Sequence, residues 1–133
     1  MIAQFIIAFI LYLILDGAMI KLFTGKHFGE VIQKIQKEPM KPKMIPAILC
    51  FLVLAFGISY FIIDKVRKDH IIMDSLKYGA VFGFVVYAVY DLTNYATISS
   101  YPLKTTIIDI AWGTTLAFLV TALTKYISLY VKK

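Results

Sequence analysis

Four long apolar runs, separated by short polar segments, limit what this chain can fold into. They cover residues 2–22, 45–63, 75–96 and 102–124. Each has about 20 residues, enough to cross a hydrocarbon core of about 30 Å as a helix. Because backbone polar groups must be paired inside a bilayer, runs of this kind are helical. The sequence therefore predicts an all-α integral membrane four-helix bundle, in which residues 1–133 form a single membrane domain.

The composition and the charge agree with this fold class. Hydrophobic residues make up 60% of the chain, whereas a soluble domain usually has about 45–50%. The formal net charge is +6, but the basic residues lie between apolar runs. This placement favours the lipid bilayer and anionic lipid headgroups as partners and argues against nucleic acid. Cys50 is the single cysteine, which excludes an internal disulfide framework.

The location that these patterns predict is a membrane, crossed several times, and the plasma or inner membrane if the source is bacterial. The first run lacks a basic n-region and a small-residue cleavage site, so we expect a retained helix and not a signal peptide. The 14 Lys and Arg residues divide equally, seven on each predicted side of the membrane. The positive-inside rule therefore assigns no orientation. No nucleotide-binding motif is present, and we expect no cofactor.

A basic connector joins the first two runs. Within residues 27–38, Phe28, Val31, Ile32 and Ile35 recur at helical spacing, with lysines and glutamines between them. This pattern predicts a short amphipathic helix that lies on the membrane surface, where it would contact anionic headgroups.

Four polar side chains interrupt the apolar runs: Asp16, Asp91, Asn94 and Asp109. Each charge near the centre of a span costs about 2.5–3.5 kcal/mol on insertion scales. From the helix rise, Asp16 lies about 9 Å, Asp91 about 7–8 Å and Asp109 about 10 Å from the nearest end of its run. Because successive spans alternate in direction, all three ends face the same side, away from the termini. The three carboxylates are therefore expected to occupy one layer.

Other polar groups share helix faces with these carboxylates, and spacings of three and four residues place them side by side. Tyr87 and Tyr90 accompany Asp91 and Asn94 on the third span, while Thr105 and Trp112 accompany Asp109 on the fourth. We take these seven residues, together with Asp16, as a candidate polar binding layer of eight side chains. Small residues spaced four apart, Gly79 with Gly83 and Gly113 with Ala117, predict close helix packing on the same two spans.

No Lys or Arg is expected at the depth of the carboxylates. Three clustered carboxylates without a paired cation cannot all stay ionised at low cost, so a proton or a cation should share the site. Oxygen ligands suit a proton, Na⁺, Ca²⁺ or Mg²⁺, and which of these binds is left open. The alternative is structural, because buried carboxyl and amide groups can simply bridge helices, at about 0.6 kcal/mol per hydrogen bond on average.

Two stretches of the sequence carry a family resemblance. Residues 91–97 read D-L-T-N-Y-A-T, Pro102-Leu103 follows, and residues 109–114 read D-I-A-W-G-T. With Leu15-Asp16 near the end of the first run, the chain resembles a domain-of-unknown-function family of small, mainly bacterial, predicted membrane proteins. The resemblance implies that Asp16, Asp91, Asn94, Asp109 and Trp112 are characteristic positions. It brings no established activity, although bacterial relatives tend to be encoded near lipid-modifying genes.

Three functions are therefore compatible with the sequence. The first is binding or transport of a proton, a cation or a small molecule, in a layout that resembles the small multidrug resistance transporters while the motifs differ. The second is a membrane-embedded lipid-modifying enzyme or its accessory subunit, with Asp91 and Asp109 as an acid/base pair. The third is a structural or assembly subunit. Whether the chain is an enzyme is left open, and a homodimer is compatible with the small surface that four helices bury.

Overall fold

Four long helices make up almost the whole chain. The computed structural model describes residues 1–132, and every regular element in that range is helical. Four helices there are long and apolar enough to cross a membrane: α1 (Ile2–Gln36), α2 (Met44–Lys65), α3 (Ile71–Thr97) and α4 (Leu103–Val131). The predicted all-α fold class, with four helices able to span a membrane, is confirmed.

The first helix is longer than its apolar run. An α-helical part, Ile2–Met19, passes through a π-helical turn, Ile20–Thr24, into a second α-helical part, Gly25–Gln36. The amphipathic segment predicted for residues 27–38 is thus helical as far as Gln36, but it continues the first span and is not a separate short helix. Its position on the membrane surface and its contact with anionic headgroups stay predictions.

The amphipathic part of α1 is held against the start of α4 by a side-chain contact. The ring nitrogen Nε2 of His27 lies 2.9 Å from the hydroxyl of Thr105 at the start of α4, and Phe23 stacks on the same imidazole. The helix ends at Lys37, whose φ of 60° is left-handed. A side chain with a Cβ is unfavourable in that conformation, which glycine usually adopts at helix ends.

The helix α4 packs against both α1 and α3, and α2 packs mainly against α1 while also touching α3 and α4. Close approach of α3 and α4 depends on glycine. A Cβ added to Gly83 would meet the backbone of Gly113 and the side chain of Ala117, and a Cβ added to Gly113 would fall within the ring of Tyr87. The small residues at these positions therefore let the two backbones pack at short range.

The bundle is tied together at the end where α2 turns into α3. The guanidinium of Arg67 donates to both oxygens of Asp74, at 2.8 and 2.9 Å, and the backbone N–H of Arg67 donates to the same carboxylate at 3.0 Å. Hydrogen bonding to Asp74 raises the pKa of Arg67, so the guanidinium stays charged. The amino group of Lys125 in α4 donates to the carbonyl of Ile63 in α2.

The core lies in the middle of the bundle and towards this same end, around Ala8, Tyr12, Ile58, Leu116 and Val120. There α2 and α3 meet, with the ring of Phe82 directly over Gly57. Towards the opposite end, the first half of α2 and the second half of α3 enclose an open cavity. The carboxylates predicted from the sequence lie at that end.

Candidate functional site

Side chains from three helices bring the carboxylates of the apolar runs together. The indole N–H of Trp112 in α4 donates to Oδ1 of Asp16 in α1, at 2.8 Å. Asp91 in α3 and Asp109 in α4 lie within hydrogen-bonding range of each other. Asp16 also acts on Asp109 electrostatically. We call Asp16, Asp91 and Asp109 the carboxyl cluster.

Asp91 is the most enclosed member of the cluster, with none of its surface exposed. Its Oδ1 accepts a hydrogen bond of 2.9 Å from the hydroxyl of Tyr101. Its Oδ2 is buried and has no hydrogen-bond partner among residues 1–132, while the carboxyl of Asp109 lies close to the Asp91 side chain. Two carboxyl groups can hydrogen-bond only if one of them carries a proton. The geometry therefore suits a proton held between Asp91 and Asp109.

Tyr101 is a site residue that the sequence did not reveal. It lies in the turn between α3 and α4, is 4% exposed, and places its hydroxyl beside Asn94 as well as Asp91. Helical periodicity relates residues on one helix, so it cannot relate a turn residue to a carboxylate ten positions earlier. Its position directly before Pro102 was the only local signal.

Two tyrosines border the carboxyl cluster from the core side. The phenol of Tyr87 lies close enough to Asp16, Asp109 and Tyr12 to interact with them electrostatically. The sequence pattern predicts Tyr87 in the same polar layer as these two carboxylates. Tyr12 is fully buried beside Asp16, and its hydroxyl has no hydrogen-bond partner in the protein. Phenol groups can donate a hydrogen bond to a carboxylate or accept one from its protonated form.

The remaining predicted residues occupy different surroundings. Trp112 contacts the carboxyl cluster through its hydrogen bond to Asp16, and Asn94 lies beside Tyr101. Tyr90 is 56% exposed on the rim. Thr105 is buried, but its hydroxyl pairs with His27 and with no carboxylate. The structure thus brings most of the predicted layer together and gives Thr105 a role in holding α1.

A cavity of about 650 Å³ adjoins the cluster. Its size is in the range of small-molecule sites, about 300–1,000 Å³. The polar groups on its lining are few, while the walls are apolar and come mainly from α2. The polar lining residues are Asp16, Cys50, Tyr87, Tyr90 and Asp109, and the apolar ones are Ile20, Pro46, Ala47, Leu49, Phe51, Val53, Leu54 and Val86.

The cavity is bordered by exposed side chains. Leu49 and Val53 of α2 are 53% and 68% exposed, and the exposed Tyr90 of α3 lines the same cavity. These residues belong to the apolar runs, so the opening lies at the level where a span would contact lipid. A molecule dissolved in the hydrocarbon could reach Asp16 and Asp109 from there.

The arrangement is poorly suited to a metal ion. Among residues 1–132, no group of three His, Cys, Asp or Glu side chains is placed to hold one. Asp91 and Asp109 face each other, and Asp16 is turned to Trp112. Protons and hydrogen-bonding organic molecules need fewer converging oxygens than a metal ion does.

Comparison with known proteins gives one match. The model of a family described as a predicted membrane protein (DUF2177) matches residues 1–126. No curated protein and no solved structure matches the chain. Because the family match covers nearly all of the 133 residues, this chain belongs to the DUF2177 family of predicted membrane proteins.

Proposed function

We propose that this protein binds or transports a small molecule inside the membrane, and that the carboxyl cluster exchanges a proton as it does so. The observation that carries the proposal is the cavity of about 650 Å³, which is apolar except for Asp16, Asp109 and a few other polar groups. Ligand sites usually combine such walls with a small number of convergent polar groups. Ionisable residues within membrane spans commonly mark substrate or proton pathways.

The charges on the lining favour a cationic or proton-donating ligand. Among residues 1–132, Asp16 and Asp109 are the only carboxyls on the lining, and no Lys or Arg accompanies them there. In surroundings of low polarity a carboxylate is stabilised by a proton or by an opposite charge. A small organic cation with an apolar body would satisfy both the walls and the carboxylates. Simple metal ions fit less well, since three suitable side chains do not converge.

Proton exchange follows from the contact between Asp91 and Asp109. A cation that reaches Asp109 through the cavity would compete with the proton held between the two carboxyls. Ligand entry would then release a proton, and ligand exit would require one. Such competition for one site is the simplest way to couple the movement of a small molecule to a proton gradient.

The test is the thermal stability of the purified protein in detergent across pH, with a panel of organic cations, inorganic cations and lipids. A ligand that binds the folded state raises the midpoint of unfolding. We expect stabilisation of the wild type, and its loss in Asp16→Asn and Asp109→Asn. Asp69→Asn, at an exposed position in the α2–α3 turn, is the matched control and should respond as the wild type does.

The opposite result would favour a purely structural role. If no ligand stabilises the wild type, and both variants unfold at the same or a higher temperature, the cluster only bridges helices. The proposal of a binding site would then be wrong.

A second candidate is a lipid-modifying enzyme, or an accessory to one. The contact between Asp91 and Asp109 favours it, because a carboxyl pair that shares one proton can supply an acid and a base. The test is chemical analysis of the lipids in proteoliposomes after incubation without any gradient. Turnover that is lost in Asp91→Asn would support the enzyme, whereas unchanged lipids would leave binding or transport.

A further inference from the structure

A second set of polar side chains lies in the half of the bundle away from the carboxyl cluster. It comprises Gln4 of α1, Ser75 of α3, and Thr121 and Thr124 of α4. Gln4 is 5% exposed and the other three are fully buried. One oxygen of each, Oε1 of Gln4 and the hydroxyls of the others, has no hydrogen-bond partner within the described residues 1–132.

The helix pairing places these four side chains at one level. Asp16 pairs with Trp112, and α1 and α4 run in opposite directions. Twelve residues back along α1 and twelve forward along α4 therefore bring Gln4 opposite Thr124. The other neighbour of α4 gives the same level, because Gly79 packs against the side chain of Thr121, and Ser75 lies one turn before Gly79.

The lack of partners is not a general property of hydroxyls in this protein. Thr106, Thr114 and Thr115 of the same helix donate to the carbonyl four residues earlier, at 3.2, 2.7 and 2.9 Å. That local bond is the usual solution for a threonine in a helix. Thr121 and Thr124 do not use it. Buried polar groups without partners are costly, and buried water commonly satisfies them.

The chemistry of the four groups favours water over other ligands. All four side chains are neutral, and together they offer hydroxyl donors, hydroxyl acceptors and one amide. The nearest cation along α4, Lys125, donates to the carbonyl of Ile63. A neutral molecule that both donates and accepts hydrogen bonds fits this set, and water is the smallest.

We propose that Gln4, Ser75, Thr121 and Thr124 form a buried hydration site that holds water molecules in this half of the bundle. The proposal goes beyond the function proposed above, because it requires no ligand at the carboxyl cluster. An apolar layer of Ala8, Ala117 and Val120, all fully buried, separates the hydration site from the cluster.

The hydration site has one consequence that rests on the proposed function. If the cluster exchanges protons, water on the far side of the apolar layer gives them a point of entry or exit opposite the cavity. The unpartnered hydroxyl of Tyr12 lies between the two sites, beside Asp16. The hydration site would then supply water on the side of the carboxyl cluster away from the cavity.

The direct test uses the wild-type protein in proteoliposomes. Solid-state NMR with magnetisation transfer from water reports which side chains contact water at short mixing times. We expect early signals from Thr121, Thr124 and Ser75, and late signals from Ala117 and Val120 in the apolar layer. Equally late signals from both sets would overturn the proposal. The outcome does not depend on any ligand, so it is separable from the test of the proposed function.

The unfolding temperatures of threonine variants test the same proposal. Thr121→Val and Thr124→Val keep the shape of the side chain and remove its hydroxyl. If the hydroxyls bind water, both variants should unfold at a lower temperature, and Thr→Ser at either position should restore stability in part. Thr115→Val is the control, since its hydroxyl is satisfied by its own helix. Unchanged or higher unfolding temperatures for both valine variants would show that the hydroxyls hold no water.

Discussion

The packing of α3 on α4 can be tested by adding one methyl group. In Gly113→Ala, the new Cβ would fall within the ring of Tyr87, and this ring also lines the cavity. Overpacking of this kind costs about 1–3 kcal/mol. Replacing glycine by alanine inside a helix returns about 1 kcal/mol through helix propensity. The net expectation is a destabilisation of about 0–2 kcal/mol.

A control variant measures the gain from helix propensity alone, without a steric clash. A Cβ at Gly17, on the first span, would meet no atom within 4 Å. Gly17→Ala should therefore gain about 1 kcal/mol. The difference between the two variants isolates the steric cost and should be about 1–3 kcal/mol.

Reversible unfolding in mixed detergent and SDS micelles measures both variants under the same conditions. The double variant Gly113→Ala with Tyr87→Leu should recover part of the loss, because leucine leaves room for the methyl group. If Gly113→Ala proves as stable as Gly17→Ala, the two helices are not as close as the structure places them, and the reasoning about the Tyr87 contact is wrong.

Three further predictions each concern the replacement of one residue. Trp112→Phe removes the hydrogen bond to Asp16 and should cost about 0.5–2 kcal/mol; an unchanged free energy of unfolding would show that the bond adds nothing. Asp74→Asn breaks the ion pair with Arg67 and should lower the unfolding temperature more at low salt than at high salt, since salt screens this partly exposed pair; equal losses would contradict this. Lys37→Gly relieves the left-handed φ of 60° and should stabilise by about 1 kcal/mol, measured by the same unfolding assay.

The fold could be predicted because one physical requirement dominates it. Backbone groups inside a bilayer must be paired, so four apolar runs of sufficient length imply four helices. The continuation of α1 through Ile20–Thr24 could not be predicted. The residues after Phe23 are more polar, and this polarity indicated a connector between spans. Helical hydrogen bonding nevertheless continues through these residues to Gln36.

The carboxyl cluster was accessible to sequence reasoning because depth along a helix follows from the rise per residue. Asp16, Asp91 and Asp109 were expected in one layer, and the structure places Asp109 close to both of the others. The hydrogen-bonding partners of the predicted site residues could not be deduced from the sequence. Tyr101 donates to Asp91 across a turn, and His27 pairs with Thr105 between helices that are far apart in the sequence; neither relation follows a helical period.

The cavity depends on how far two helices separate, which the order of residues does not encode directly. Cys50 is near the start of its apolar run, so the helix rise puts it close to the depth of the carboxylates, and it lines the cavity. However, the opening exists because α2 and α3 meet near Gly57 and Phe82 and part beyond them. That divergence is a property of the packed bundle.

The most direct measurement on the central claim is infrared difference spectroscopy of the carboxyl groups in proteoliposomes at neutral pH. The wild type, Asp91→Asn, Asp109→Asn and the exposed control Asp69→Asn would be compared. We predict a protonated-carboxyl band in the wild type and in Asp69→Asn that shifts or disappears in the Asp91 and Asp109 variants, because the pair shares one proton. A wild-type spectrum that shows only ionised carboxylates would contradict the account.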